Sequence, residues 1–191
     1  MGLDMYLKRR HYIGAEYEHR GVKGTIDITI GDKKIPINFN RVSYIEEEVC
    51  YWRKANQIHN WFVQNVQDGA DDCKSYYVGI EQLEELLNLC KQVKEKAILV
   101  PSGEKRKVHV FNEKTKTLEP QEEDYMIIKN AEEIAEMLPS QSGFFFGSTD
   151  YDDYYMDDID HTIKELETII KEEKELNELG FYSDYEYRAS W

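Results

Sequence analysis

Apolar and polar residues alternate near both ends of the chain and recur at helical spacing between them. Leu3, Met5 and Leu7 alternate with Asp4, Tyr6 and Lys8, the period of a half-buried strand. Ile26, Ile28 and Ile30 alternate with Thr25, Asp27 and Thr29. Gly31-Asp32 interrupts, and Ile35, Ile37 and Phe39 resume, which predicts an antiparallel hairpin. Pro36 cannot donate to a ladder on that side and places its strand at an edge. From Tyr51 to Gln67, Trp52, Ala55, His59, Phe62 and Val66 share one helical face, so a helix is predicted there, ended by Gly69. Tyr76-Tyr77-Val78 predicts a short strand. Leu83, Leu86, Leu87, Cys90 and Val93 form the stripe of a second helix over 81–96.

Residues 97–118 read as a protruding hairpin, with Ile98-Leu99-Val100, a turn at Pro101-Ser102-Gly103, then Val108, Val110 and Phe111; 119–126 reads as loop. Asn130 with Glu133 has the form of a capping box opening a short helix that Pro139 stops. The longest helix is predicted over 151–178, with Tyr155, Ile159, Ile163, Leu166 and Ile170 inward and Gly180 beyond its end. The tail from Tyr182 to Trp191 alternates aromatics and predicts a last strand. The expectation is a single α+β domain over 1–191. Its antiparallel sheet, built from the N-terminal strand, the 26–39 hairpin and the tail, is covered by three main helices (51–67, 81–96, 151–178) around one core.

Composition changes this picture little. A chain of 191 residues with 41% hydrophobic content sustains a core without staples. Cys50, Cys73 and Cys90 are odd in number and lack a C-x-x-C pair, which argues for reduced thiols rather than a disulfide framework or zinc knuckle. No apolar run approaches the ~18 residues of a membrane span, and the N-terminal residues have neither the pattern of a signal peptide nor that of a myristoylation site. Charge matters more. The formal net charge is −14, and from Gly147 to Trp191 there are 14 acids against 4 bases. Such a field disfavours direct nucleic-acid or anionic-membrane binding and favours basic partners. The Lys105-Arg106-Lys107 run stands out against it.

Four segments carry a family likeness: Met1-Gly2-Leu3-Asp4-Met5-Tyr6-Leu7; Tyr51-Trp52-Arg53-Lys54-Ala55-Asn56 with His59, Trp61 and Phe62; Gln67-Asp68-Gly69 with Asp71-Asp72-Cys73; and Ser142-Gly143-Phe144-Phe145-Phe146-Gly147-Ser148-Thr149 with Tyr151-Asp152. Together they resemble an uncharacterised family of small phage- and prophage-encoded proteins; the 97–118 segment lies outside the likeness. The resemblance implies the cytoplasm of a bacterial host and an accessory, counter-defence role, without naming a reaction.

The candidate chemistry lies in four places. On the predicted 51–67 helix, Arg53, Asn56 and His59, with Asn60 a turn further on, suit recognition of a polar or anionic molecule, with Trp52 for stacking; the competing reading makes His59 a core residue and pairs Arg53 with Glu46 or Glu47. The loop Ser142, Phe144, Phe145, Phe146, Ser148 offers ring faces and hydroxyls to a nucleotide-like ligand, or else is a buried strand with Gly for close packing and Thr149 as an N-cap. Alternation there sends Phe145 one way and Phe144 and Phe146 the other. Asp68, Asp71 and Asp72 suggest a cation site and hence a metal-dependent hydrolase, or more simply an Asx turn. Asp153, Asp157 and His161 read as a solvated acidic face. Nothing is diagnostic of nucleophilic catalysis, and no cofactor or metal is assigned. The leading expectation is therefore a non-enzymatic binder of a small polar or nucleotide-like ligand. The alternative is an acidic inhibitor of a basic host protein, and a homo-oligomer stays open.

Overall fold

The structure is a computed structural model, and it describes residues 2–191. Its centre is a four-stranded antiparallel sheet of order β4-β1-β8-β5, from Tyr44–Arg53, Asp4–Tyr12, Ser183–Ser190 and Tyr76–Val78. The N-terminal strand β1 and the tail strand β8 form where alternation predicts, and they pair with each other in the middle. Along β1, every second residue from Met5 to His11 is buried, and Tyr185, Tyr187 and Ala189 of β8 face the same side. The α+β class holds. The predicted sheet membership does not. The hairpin β2–β3 (Asp27–Ile30 and Lys33–Pro36) forms with its turn as expected but stays a separate two-stranded sheet with Ile28 and Ile30 exposed.

The place beside β1 is taken by β4, where a helix is predicted from Tyr51 onward. Trp52 does point into the core, but from a strand: it lies opposite Met5, and its indole N–H donates to Thr162 Oγ1 at 2.9 Å. Helical spacing and strand alternation both put Trp52 inside, so the apolar pattern alone could not separate them. The chain leaves β4 sharply. Lys54 has a left-handed backbone (φ 62), and Ala55, at φ −73 and ψ 69, is the centre of an inverse γ-turn closed by Asn56 N–H donating to Lys54 O at 2.8 Å. Helix α1 then spans only Asn56–Asn65, with Gly69 (φ 79) turning the chain away.

Helix α2 (Ile80–Lys96) carries the expected stripe. Its chain continues into β6 (Leu99–Asn112), which pairs with β7 (Thr117–Ile128) in a long two-stranded ribbon. The hairpin is thus larger than predicted: 119–126 is strand rather than loop, the reversal lies at 113–116, and Pro101-Ser102-Gly103 marks an irregularity in register rather than the turn. Helix α3 (Ala131–Met137) follows with Asn130 at its N-cap position, but the side chain makes no capping bond to the helix backbone. It donates to Glu133 Oε2 and Lys96 O and accepts from Ile98 N–H, tying the ribbon's base. Helix α4 (Asp153–Glu178) packs along α2 over the sheet. Its N-cap is Asp152, accepting from Tyr155 N–H at 3.1 Å, rather than Thr149. One continuous apolar cluster joins the sheet, α1, α2, α3 and α4. No helix among the described residues is long and apolar enough to cross a membrane.

Candidate functional site

The β4–α1 turn and the segment from Ser140 to the first turns of α4 meet around a cleft of about 390 Å³. Asn56 holds them together. Its side-chain amide donates to the carbonyls of Phe146 (3.1 Å) and Ser148 (2.7 Å) and accepts from Gln141 N–H at 2.9 Å. Gly147 lies directly against Lys54: a Cβ there would stand 3.2 Å from Lys54 Cβ, and its φ of +89 already favours glycine. The left-handed Lys54 is therefore wedged between a γ-turn and Gly147. Strained backbone of this kind persists only where its surroundings over-determine it, at a cost of about 1–3 kcal/mol.

One wall of the cleft carries Arg53 and Lys54; the other carries Asp150, Asp152, Asp157 and Asp158. Arg53, Lys54 and Asp157 form no hydrogen bond through their side chains and no ion pair among the described residues, so the expected pairing of Arg53 with Glu46 or Glu47 is not made. Glu47 instead holds Arg9 (2.8 Å) and His11 (3.0 Å), and Glu46 holds Lys8 (2.6 Å). Asp158 accepts from Gln57 Nε2 at 3.0 Å, and burial, only partly opposed by that bond, pushes its carboxyl up to about 6. Asp152 is raised by burial too, opposed first by the Tyr155 N–H it accepts and then by the Arg106 guanidinium at 3.4 Å.

Three of the expected site residues, Arg53, Asn56 and Ser148, line this cleft. Trp52 and His59 are core. His59 is fully buried, with Nδ1 2.7 Å from Tyr187 Oη and Nε2 3.1 Å from Asp71 Oδ1. A carboxylate only accepts, so His59 donates through Nε2 and accepts the Tyr187 hydroxyl through Nδ1. Desolvation lowers the His59 pKa despite Asp71, which keeps this ring neutral. Both ring nitrogens are thus satisfied by side chains, as a buried histidine requires.

The triple-phenylalanine segment is a turn rather than a strand, so its rings do not alternate. Phe144 is 95% exposed, Phe145 is half-buried, and Phe146 is buried edge-on against His59 and Trp191. Phe146 lies so close over Gly143 that a Cβ there would stand 2.6 Å from the ring. No gap separates these rings from α1; the hollow opens on the other side of the loop, past Gly147. Ser142 and the three phenylalanines are not among its lining residues. Asp71 is committed to His59 and Asp72 to Lys74 and Tyr76, and among the described residues no group of three or more potential ligands is arranged to hold a metal.

The residues that sequence reasoning missed are Lys54, Gln57, Asp150, Asp152 and Asp158, and it read Asp157 only as solvated surface. Asp153 and His161 also have partners: Arg106 at 2.6 Å and the Tyr51 carbonyl at 2.9 Å. A signal for the cleft did exist, in two adjacent cations followed by an amide and an Asp-rich helix start, but it required knowing that these segments touch. No protein-family model, no curated protein and no solved structure matches the chain.

Proposed function

We propose that this chain binds a small polar molecule in the cleft between the β4–α1 turn and the start of α4. The single observation that carries the reading is Arg53 beside Lys54, both without a protein partner among the described residues, opening on a cleft of about 390 Å³, within the size range of small-molecule sites. A guanidinium and an ammonium left free by the fold are available to an anionic group, and the γ-turn bond and the Gly147 contact that fix the Lys54 backbone hold that end of the site in place. Nucleotide-like ligands fall within this class, and sequestering one is the accessory role that the likeness to phage proteins suggests. The aromatic loop takes no part in stacking in this reading; it supports the cleft through Asn56.

The alternative, an acidic surface that captures a basic protein, has less behind it. Along α4 several acids already face cations of other elements, as in Lys91–Glu167, Lys94–Asp160 and Arg9–Glu172. Native mass spectrometry of protein purified from infected bacterial cells tests the cleft. A bound mass present in the wild type and absent in Arg53→Ala, with both proteins folded, is the expected result. An identical retained mass in Arg53→Ala, or an unliganded wild type that shows no thermal shift across a panel of nucleotides and phosphorylated metabolites, overturns the proposal.

A further inference from the structure

We infer that the ligand of this cleft is bipolar, presenting an anionic group to Arg53 and Lys54 and an amine or other strong hydrogen-bond donor to Asp157 and Asp158. The inference rests on the cleft being a binding site and narrows what it takes.

The case begins with charge that the fold leaves unspent. Of the four carboxylates around the cleft, Asp152 is occupied by the Arg106 guanidinium and the Tyr155 N–H, and Asp150 accepts from the Ser148 hydroxyl at 2.6 Å. Asp157 has no partner among the described residues, and Asp158 receives only the Gln57 amide, on Oδ2. Arg53 and Lys54, both exposed and without a partner among the described residues, line the same cavity. The two signs share one cavity without closing an ion pair within 4.0 Å.

A ligand of one sign fits this arrangement poorly. A simple polyanion gains Arg53 and Lys54 but is brought against four carboxylates, and like charges at close range repel strongly where water is displaced. A simple cation meets the converse problem, and either leaves charges of the other sign desolvated and unpaired. A molecule with both groups satisfies each wall. Burial already holds the ionised Asp158 at a cost, and a donor placed on its free oxygen offsets that cost. Rejection of single-sign competitors then follows from the repulsive wall as much as from the attractive one. Two sources supply this chemistry: phosphorylated aliphatic amines, and nucleotides whose base carries an exocyclic amino group.

Isothermal titration of the whole chain distinguishes them. The probes are O-phosphoethanolamine, AMP, inosine monophosphate (which lacks the amino group), inorganic phosphate and ethylamine. At least one of the first two is expected to bind tenfold or more tighter than phosphate and ethylamine. Preference for O-phosphoethanolamine assigns the aliphatic source; preference for AMP over inosine monophosphate assigns the nucleotide source. In Asp157→Asn/Asp158→Asn that advantage falls to less than threefold while phosphate binds as well or better, with an unchanged circular dichroism spectrum confirming the fold. If phosphate or inosine monophosphate binds as tightly as both amine-bearing probes, in a manner that Arg53→Ala abolishes, the bipolar inference is overturned and the cleft proposal stands. If no probe binds and Arg53→Ala changes nothing, both fall.

Discussion

Replacing Asn56 by alanine tests how the cleft is built. The Asn56 side chain is 2% exposed and makes three hydrogen bonds to the backbone of the 140–148 segment: two donated, to Phe146 O and Ser148 O, and one accepted from Gln141 N–H. Each such bond contributes about 1 kcal/mol net, and a buried group left without a partner costs about 1–3 kcal/mol. The Phe146 carbonyl is buried among aromatics and bears the full penalty, whereas Ser148 and Gln141 lie nearer the surface and regain water. The expected loss is therefore about 2–3 kcal/mol, and the melting temperature should fall by roughly 4–12 °C for a chain of this size. Urea unfolding followed by tryptophan fluorescence measures it directly, since Trp191 lies 5.7 Å from Phe146. Asn56→Asp sharpens the test. It keeps the acceptor for Gln141 but sets a carboxylate against two carbonyl oxygens, so at neutral pH it should be at least as damaging as alanine. A loss below about 0.5 kcal/mol for Asn56→Ala, or an aspartate variant as stable as wild type, refutes the clamp.

Three other perturbations have defined signs. Asp158 has a folded pKa of about 6 against an unfolded value of 3.8, so the folded state holds this proton more tightly and stability falls as pH rises through that window; Asp158→Asn should be more stable than wild type at pH 7.5, by about 1–3 kcal/mol, with the gain gone near pH 4, and equal stability of the two proteins at both pH values in urea titrations would contradict it. Lys54→Gly should cost less than about 0.5 kcal/mol, because glycine relieves the φ of 62, whereas Lys54→Val should cost about 1–2 kcal/mol at the same position; equal losses in thermal denaturation would show that backbone strain is not the controlling factor there. Arg106 ties the β6–β7 ribbon to Asp152, Asp153 and the ring face of Tyr154, and a two-stranded ribbon is marginal by itself. Arg106→Ala should therefore speed amide exchange over 104–124 while β1 and β8 keep their protection; unchanged exchange would mean that the ribbon is held by other contacts.

What the sequence by itself determined were the elements whose signal is local. The alternation of Leu3, Met5 and Leu7, the leucine stripe of α2, the apolar face of α4 and the Gly31-Asp32 hairpin each follow from side chains a few residues apart, and so does the α+β class. Tertiary structure decided which elements meet. Trp52 belongs to a strand because β1, some fifty residues earlier, supplies the ladder that completes its backbone hydrogen bonds, and the apolar spacing through Phe62 cannot report a partner so far away. The same holds for the cleft. Arg53 and Lys54 lie about a hundred positions before Asp157 and Asp158, and in the sequence Asp157 reads as part of an ordinary acidic helix face while Asp158 gives no signal at all. Only after Asn56 pins the loop and Gly147 admits the Lys54 backbone do the two signs come to share one cavity, because a contact between distant segments is set by the packing of everything between them and leaves no periodic trace in the chain.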